Sequence, residues 1–195
     1  MSAGKIFLAA LLGGIALFIW GAVSHMALGL GDSNFKGIPN EEAVLSAMKT
    51  NLTEPGLYFF PWMDMKNSSP EAMKAWEEKY MAGPNGLLVY HPTGEKPLAP
   101  KQLIIQFLTD FLAVLFATIL LAKAASNISG YFGRVIFVAT FGLISTLALS
   151  FPYWNWYGFP FGHTLAELIE QVVGFFIAGL VLAAFIKASS KSVTA

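Results

Sequence analysis

The chain has 195 residues, of which 55% are hydrophobic and only 12% are charged, whereas soluble domains carry roughly 25% charged residues. Its formal net charge is zero, so no basic surface indicates a nucleic-acid partner. The absence of cysteine excludes disulfides, thiolate metal sites and a cysteine nucleophile. This composition predicts an integral membrane protein, with the lipid bilayer as its first partner.

Four apolar segments are each long enough to cross a hydrocarbon core of about 30 Å as a helix. In chain order they are Ile6 to Met26, Leu103 to Ala125, Tyr131 to Ser150 and Leu165 to Ile186. None shows the strict alternation of a membrane β-barrel strand. The first segment also fits a signal peptide, but we expect residues 1–26 to be a retained transmembrane helix. The predicted fold is an all-α integral membrane protein with four transmembrane helices, three of them within residues 102–195.

Basic residues predict the orientation of these helices. They lie in the N-terminus, the second connection and the short C-terminal tail, regions without Asp or Glu: Lys5, Lys123, Arg134, Lys187 and Lys191. By the positive-inside rule, these regions are cytoplasmic. The N- and C-termini are therefore predicted to be cytoplasmic, and residues 27–101 to be extracytoplasmic. We expect Arg134 to extend its side chain to the cytoplasmic surface.

Residues 27–101 predict a small α+β cap domain between the first and second transmembrane helices. Two helices, opened by Asn40 and by Ser69 as N-caps, alternate with two short strands, Gly56 to Phe60 and Gly86 to Tyr90. We expect the strands to pair and the helices to cover one face of the pair.

Three aromatic residues of the cap, Tyr58, Trp62 and Trp76, have two interpretations. In the first they pack, and the cap rests with them on the outer ends of the helices. In the second they form a surface for a partner. The packing interpretation is the one we favour.

The connection between the third and fourth transmembrane helices, residues 151–163, is rich in aromatic side chains and carries no charge before His163. Two prolines and a glycine predict an irregular backbone there. The leading interpretation is an aromatic belt in the headgroup layer. The alternative is a surface for a lipid, a quinone or pigment ring, or a neighbouring subunit, formed by Tyr153, Trp154, Trp156, Tyr157 and Phe159.

Five titratable residues form a candidate polar or metal site at the outer end of the helices. His163, Glu167 and Glu170 follow one another at i, i+4 and i+7, which is one face of a helix. Asp110 lies deepest in its apolar segment, and His25 ends the first one. Carboxylates inside a membrane are costly unless they face protein or water, so these residues need an explanation.

Several explanations remain open for this set. Imidazoles and carboxylates together bind Zn, Fe or Mn, and haem would need His25 to face His163. Small residues in the first and fourth transmembrane helices favour close pairing, which would bring these two histidines together. Asp110 is expected to relay protons, or to be a neutral acid bonded to Gln106, Thr109 or a facing helix. Ordinary interface and helix-terminus roles are the simpler interpretations, and the leading expectation is that no cofactor is bound.

Three functions are consistent with these patterns. The leading hypothesis is a non-catalytic accessory or scaffold subunit of a larger membrane complex, which binds other membrane subunits or itself. The second is an outward-facing metal- or haem-binding redox protein, and the third is a small proton-coupled transporter. The layout resembles that of claudins and tetraspanins, but those families carry cysteines in the first outer loop and this chain has none.

Overall fold

The computed structural model describes residues 2–31, 34–64, 66 and 69–187. Its elements, in chain order, are α1 (Ala3–Met26), α2 (Glu41–Asn51), β1 (Gly56–Phe60), α3 (Pro70–Ala82), β2 (Gly86–Tyr90), α4 (Pro100–Ala124), α5 (Gly130–Tyr157) and α6 (Phe161–Phe185). The chain divides into two compact units, which are residues 1–35 with 97–195, and residues 36–96. The predicted tail after Lys187, with Lys191, lies outside the described residues.

The larger unit contains α1, α4, α5 and α6. Within the described part of the chain, these four helices are long and apolar enough to cross a membrane, which confirms the four predicted segments. Helix α1 packs against both α4 and α6, and α5 packs chiefly against α6. The centre of the packing is formed by fully buried aliphatic side chains: Val114, Leu121, Val138, Leu182 and Ile186.

Glycines set how closely these helices approach one another. Gly174 of α6 lies against Leu17 and Trp20 of α1, so α1 and α6 pair as their small residues predicted. Gly142 of α5 lies directly on the backbone of α6 at Gln171. No side chain fits between these backbones, and the glycine therefore fixes the separation of α5 and α6.

The smaller unit is built on two antiparallel strands, β1 and β2, which α3 separates along the chain and which are here called the hairpin. Strands β1 and β2 form an antiparallel pair over the predicted residues, with Leu57 opposite Val89. Helix α3 begins as predicted, because the Ser69 hydroxyl accepts a hydrogen bond from the backbone N–H of Ala72 at 3.1 Å. Asn40 holds the N-cap position of α2 with φ at 53°, but its side chain caps no described residue. Asn40 is therefore the N-cap residue by position, as predicted, without a side-chain hydrogen bond to a described residue.

The helices of this unit cover its hairpin incompletely. Among the described residues of the unit, only Pro61 and Tyr90 are buried. The ring of Phe59 stacks on that of Tyr80 of α3 with centroids 6.2 Å apart, and the indole N–H of Trp76 donates to the Pro61 carbonyl at 2.9 Å. These few contacts connect α3 to the hairpin, and they leave the unit without a closed core of its own.

The aromatic connection differs from the expected irregular segment. Residues 151–157 are the last two turns of α5, and Pro152 lies inside the helix. Proline removes a single backbone donor, and apolar helices tolerate that loss. The helix ends at Gly158, whose φ of 70° lies in the left-handed region that favours glycine. The irregular connection is therefore only residues 158–160.

Arg134 is also placed differently from the prediction. Its side chain is only 8% exposed, although we expected it to reach a surface. The buried residues of α5 recur along one face of the helix, which includes Arg134, Val138, Gly142 and Thr146. Arg134 belongs to this packed face, which accounts for its burial.

Candidate functional site

A polar contact joins α1 to α6 near the end of α1. The Nε2 atom of His25 lies 3.0 Å from Oε1 of Glu170. The indole N–H of Trp20 donates to the backbone carbonyl of Glu170 at 2.9 Å. Trp20 also lies against Gly174, one turn further along α6. The side chains of α1 therefore hold Glu170 at both its backbone and its carboxylate.

Asp110 of α4 lines the same cavity as this pair. Its Oδ1 accepts a hydrogen bond from Nε2 of Gln106 at 2.9 Å, which agrees with one of the partners expected for it. The cavity has a volume of about 230 Å³ and includes His25, Gln106, Asp110 and Glu170 in its wall. Asp110 lies about 15 Å along the axis of α4 from Pro100. Three helices thus bring two carboxylates, an imidazole and an amide to one cavity.

The other two candidates lie in a different cavity, between the end of α5 and the start of α6. His163 and Glu167 line a space of about 190 Å³ together with Tyr153 and Phe159. The His163 ring is 6.2 Å from that of Phe35 and 5.6 Å from that of Phe159, measured between centroids. His163 is therefore placed among aromatic rings.

The five candidate residues thus divide between two places. His25, Asp110 and Glu170 share one cavity, and His163 and Glu167 share the other. His25 contacts Glu170 instead of His163, so the pairing of α1 with α6 has a register that differs from the expected one. Within the described ranges, no three His, Cys, Asp or Glu side chains form a group that could hold a metal ion.

The aromatic candidate residues form the last turns of α5 and the connection to α6. Trp156 is 74% exposed, and Tyr153, Trp154 and Tyr157 are each close to half exposed. Phe159 stacks on Tyr153 with centroids 5.4 Å apart. Helical geometry gives these rings fixed positions, because the backbone beneath most of them is regular.

The hairpin of the smaller unit carries an apolar surface that sequence reasoning identified only in part, through Tyr58 and Trp62. Leu57 and Val89, which are opposite one another, are both 66% exposed, and Trp62 is 74% exposed. A cavity of about 410 Å³ lies along Leu57, Tyr58, Phe59 and Trp62. Both strands are apolar at almost every position and do not alternate with polar residues. Strands without such alternation are typical of a sheet that other parts of a protein cover on both faces. This pattern could therefore have indicated the apolar surface from the sequence.

One titratable group outside the long helices has a perturbed pKa. Glu71 lies in the first turn of α3, where its own backbone N–H and the Ser69 hydroxyl hydrogen-bond its carboxylate and lower its pKa. The lowered pKa of Glu71 is therefore explained by groups at the start of α3.

No known protein family, curated protein or solved structure matches the chain. The function therefore has to follow from the residues themselves.

Proposed function

We propose that this protein is a non-catalytic, multi-pass subunit of a larger membrane complex. It contacts its partners through the extracytoplasmic unit and through the aromatic end of α5 and its connection. The observation that carries this proposal is the apolar hairpin surface of Leu57, Val89 and Trp62 on a unit that buries little of itself.

Leu57 and Val89 present apolar surface that water contacts unless a partner covers it. Burying an aliphatic side chain of this size stabilises a contact by about 1.5 to 3 kcal/mol. Leu57 and Val89 are mostly exposed, and they adjoin an indole that is more exposed still. Contiguous apolar surface outside a membrane marks an interaction site. A partner that covers this surface would complete the core that the unit lacks.

The edges of the hairpin favour the same function. The described sheet has two strands, so β1 and β2 each present one edge without a neighbouring strand. Free edges hydrogen-bond readily to an extended segment of another chain. Gly56 at the start of β1 and Gly86 at the start of β2 add little bulk beside these edges. Backbone pairing and apolar contact can therefore act together at one place.

The membrane location belongs to this proposal. Four long apolar helices support it, and the basic residues favour cytoplasmic termini with residues 27–101 outside. The exposed rings of Trp154 and Trp156 then lie at the outer headgroup layer, where indoles are enriched. They would face lipid on one side and a neighbouring subunit on the other.

The hypothesis of a metal or haem redox site receives less support. It requires His25 and His163 to act together with the carboxylates, and these histidines line different cavities. A scaffold subunit does not require these histidines and carboxylates to lie together. The division of the candidate residues therefore favours the accessory subunit.

Co-purification from native membranes tests the proposal. We expect a gentle detergent to extract the tagged protein with a defined set of other membrane proteins. The double variant Leu57→Ser with Val89→Ser should lose that set and keep the four-helix unit folded, because both residues lie in the separate smaller unit.

Met81→Ser is the matched control for this experiment. Met81 is 72% exposed and lies on α3 instead of the hairpin, so its loss removes about as much exposed apolar surface as either of the two hairpin substitutions. The control should retain the partners. Isolation of the parent protein alone and catalytically active would overturn the proposal, as would equal retention of partners by the double variant.

A further inference from the structure

The cavity between α1, α4 and α6 is lined by both polar and apolar side chains. The polar side chains are those of Asp110, Glu170, His25 and Gln106. The apolar ones include Phe18, Met26, Leu98 and Leu103. The space exists because α1 presents Gly21 and Ala22 to it, and a Cβ built on Gly21 meets no atom within 4 Å. An amphipathic molecule matches this combination of side chains.

With both carboxylates ionised, the charges of the cavity do not balance. Two carboxylates line it, and His25 can supply at most one positive charge, to Glu170 at 3.0 Å. No Lys or Arg is among the described residues of the wall. Among the described residues, the hydrogen-bond partner of the Asp110 carboxylate is the neutral amide of Gln106. A charge with only neutral partners is costly away from water, so a bound cation would stabilise this arrangement.

The cavity is also accessible. The His25 side chain is 51% exposed, and the Glu170 side chain is 12% exposed. A ligand can therefore pass beside the imidazole and reach the carboxylates behind it. The volume of about 230 Å³ is smaller than the roughly 300 to 1,000 Å³ of pockets for drug-sized molecules. The space suits a small molecule or a headgroup.

We propose that this cavity binds a primary ammonium group, from a small free amine or from the headgroup of an aminophospholipid. An ammonium group has three donors, and the carboxylates of Asp110 and Glu170 together with the side-chain carbonyl of Gln106 supply three acceptors. The carbon chain of the amine lies along Leu103 and Met26. The ring of Phe18 adds a cation–π contact to the positive charge.

An ammonium group fits better than a metal ion. Hard cations are held by six or more oxygen ligands, or by several carboxylates and waters. Six of the ten residues that line the cavity are apolar, and the described His, Asp and Glu side chains include no group of three that could hold a metal. An amine uses both the polar and the apolar side chains. This site belongs to the larger unit, and the proposal does not depend on the partner surface of the smaller unit.

Titration with phenethylamine tests the proposal. The full-length protein is placed in phosphatidylcholine nanodiscs, and heat of binding is measured for phenethylamine and for phenethyl alcohol, which has the same shape without the charge. We expect saturable binding of the amine and at least tenfold weaker binding of the alcohol. Equal binding of the two would overturn the proposal.

Two variants locate the bound amine. Asp110→Asn keeps the shape of the side chain and should weaken amine binding about ten- to hundredfold, the effect of losing one charge-assisted hydrogen bond. Gly21→Leu retains every charge and fills the cavity, so it should abolish binding. The control Glu167→Gln alters a carboxylate of the other cavity and should leave the affinity unchanged. Unchanged binding in both test variants would overturn the assignment.

A second arm distinguishes the two sources of the amine. Native mass spectrometry of the protein from nanodiscs with equal phosphatidylethanolamine and phosphatidylcholine shows which lipid is retained. Retention of phosphatidylethanolamine by the parent and its loss in Asp110→Asn would identify a lipid headgroup. Binding of phenethylamine without lipid preference would identify a free amine. Absence of both would refute the proposal.

Discussion

The close approach of α5 and α6 at Gly142 gives a prediction of defined size. A Cβ built on Gly142 would overlap the carbonyl oxygen of Gln171 and would lie 2.6 Å from its carbonyl carbon, whereas ordinary contact begins at 3.4 Å. Backbone atoms cannot rotate away as a side chain does. In Gly142→Ala the helices must therefore separate by about 0.8 Å or more, which forfeits roughly a quarter to a half of the attraction at each affected contact.

The variant Gly21→Ala provides the matched reference. Gly21 is also inside a helix, but its added methyl group meets nothing within 4 Å. Each substitution gains up to about 1 kcal/mol of helix propensity, and this gain cancels between the two variants. Overpacking alone costs about 1 to 3 kcal/mol, so Gly142→Ala should be less stable than Gly21→Ala by that amount.

Reversible unfolding in mixed micelles, followed by tryptophan fluorescence, measures both free energies of unfolding. The expected order is Gly21→Ala above the parent protein and Gly142→Ala below Gly21→Ala. If Gly142→Ala equals or exceeds Gly21→Ala in stability, the packing of α5 on α6 is not the one described.

The remaining predictions concern the smaller unit and the helix core. Ser69→Ala removes the cap of α3, which should cost about 1 kcal/mol of helix stability, and it should raise the lowered pKa of Glu71 toward its ordinary value in an NMR titration. In the parent, the stabilisation linked to Glu71 is present above its unfolded-state pKa and is lost as pH falls through the folded-state pKa. The free energy of unfolding of the variant should depend less on pH in the acid range. An identical dependence would contradict the contact between Ser69 and Glu71. Trp76→Phe leaves the Pro61 carbonyl unpaired and should cost about 0.5 to 1.5 kcal/mol, seen as faster hydrogen exchange in α3 alone. Leu182→Ala, at a fully buried position, should destabilise the four-helix unit by about 2 to 5 kcal/mol, and a loss below 1 kcal/mol in the micelle assay would contradict its burial.

The sequence predicted the elements better than their contacts. Apolar length determines a membrane-crossing helix, and short apolar runs between turn residues determine strands, so β1 and β2 were placed on the right residues. Residues 151–157 were mistaken for an irregular segment, because Pro152 is a breaker in water but is tolerated in an apolar helix. The burial of Arg134 could have been inferred from its position one turn before Val138 on the packed face.

The candidate site was predicted in part. Its residue types and their position near one end of the helices followed from the sequence, as did the hydrogen bond between Gln106 and Asp110. The contact of His25 with Glu170 did not follow, because it depends on the register of α1 against α6. That register is set by the fit of Trp20 to Gly174, a packing detail that spacing along one chain does not contain.

Site-directed photocrosslinking tests the central claim, that the smaller unit covers its apolar surface with another protein. A benzophenone amino acid replaces Trp62 in one variant and Met81 in another, both exposed positions, and intact membranes are irradiated before extraction. We predict a discrete adduct with a second protein from position 62 and none from position 81. An adduct from position 62 that joins only parts of this same chain, or equal adducts from both positions, would contradict the account.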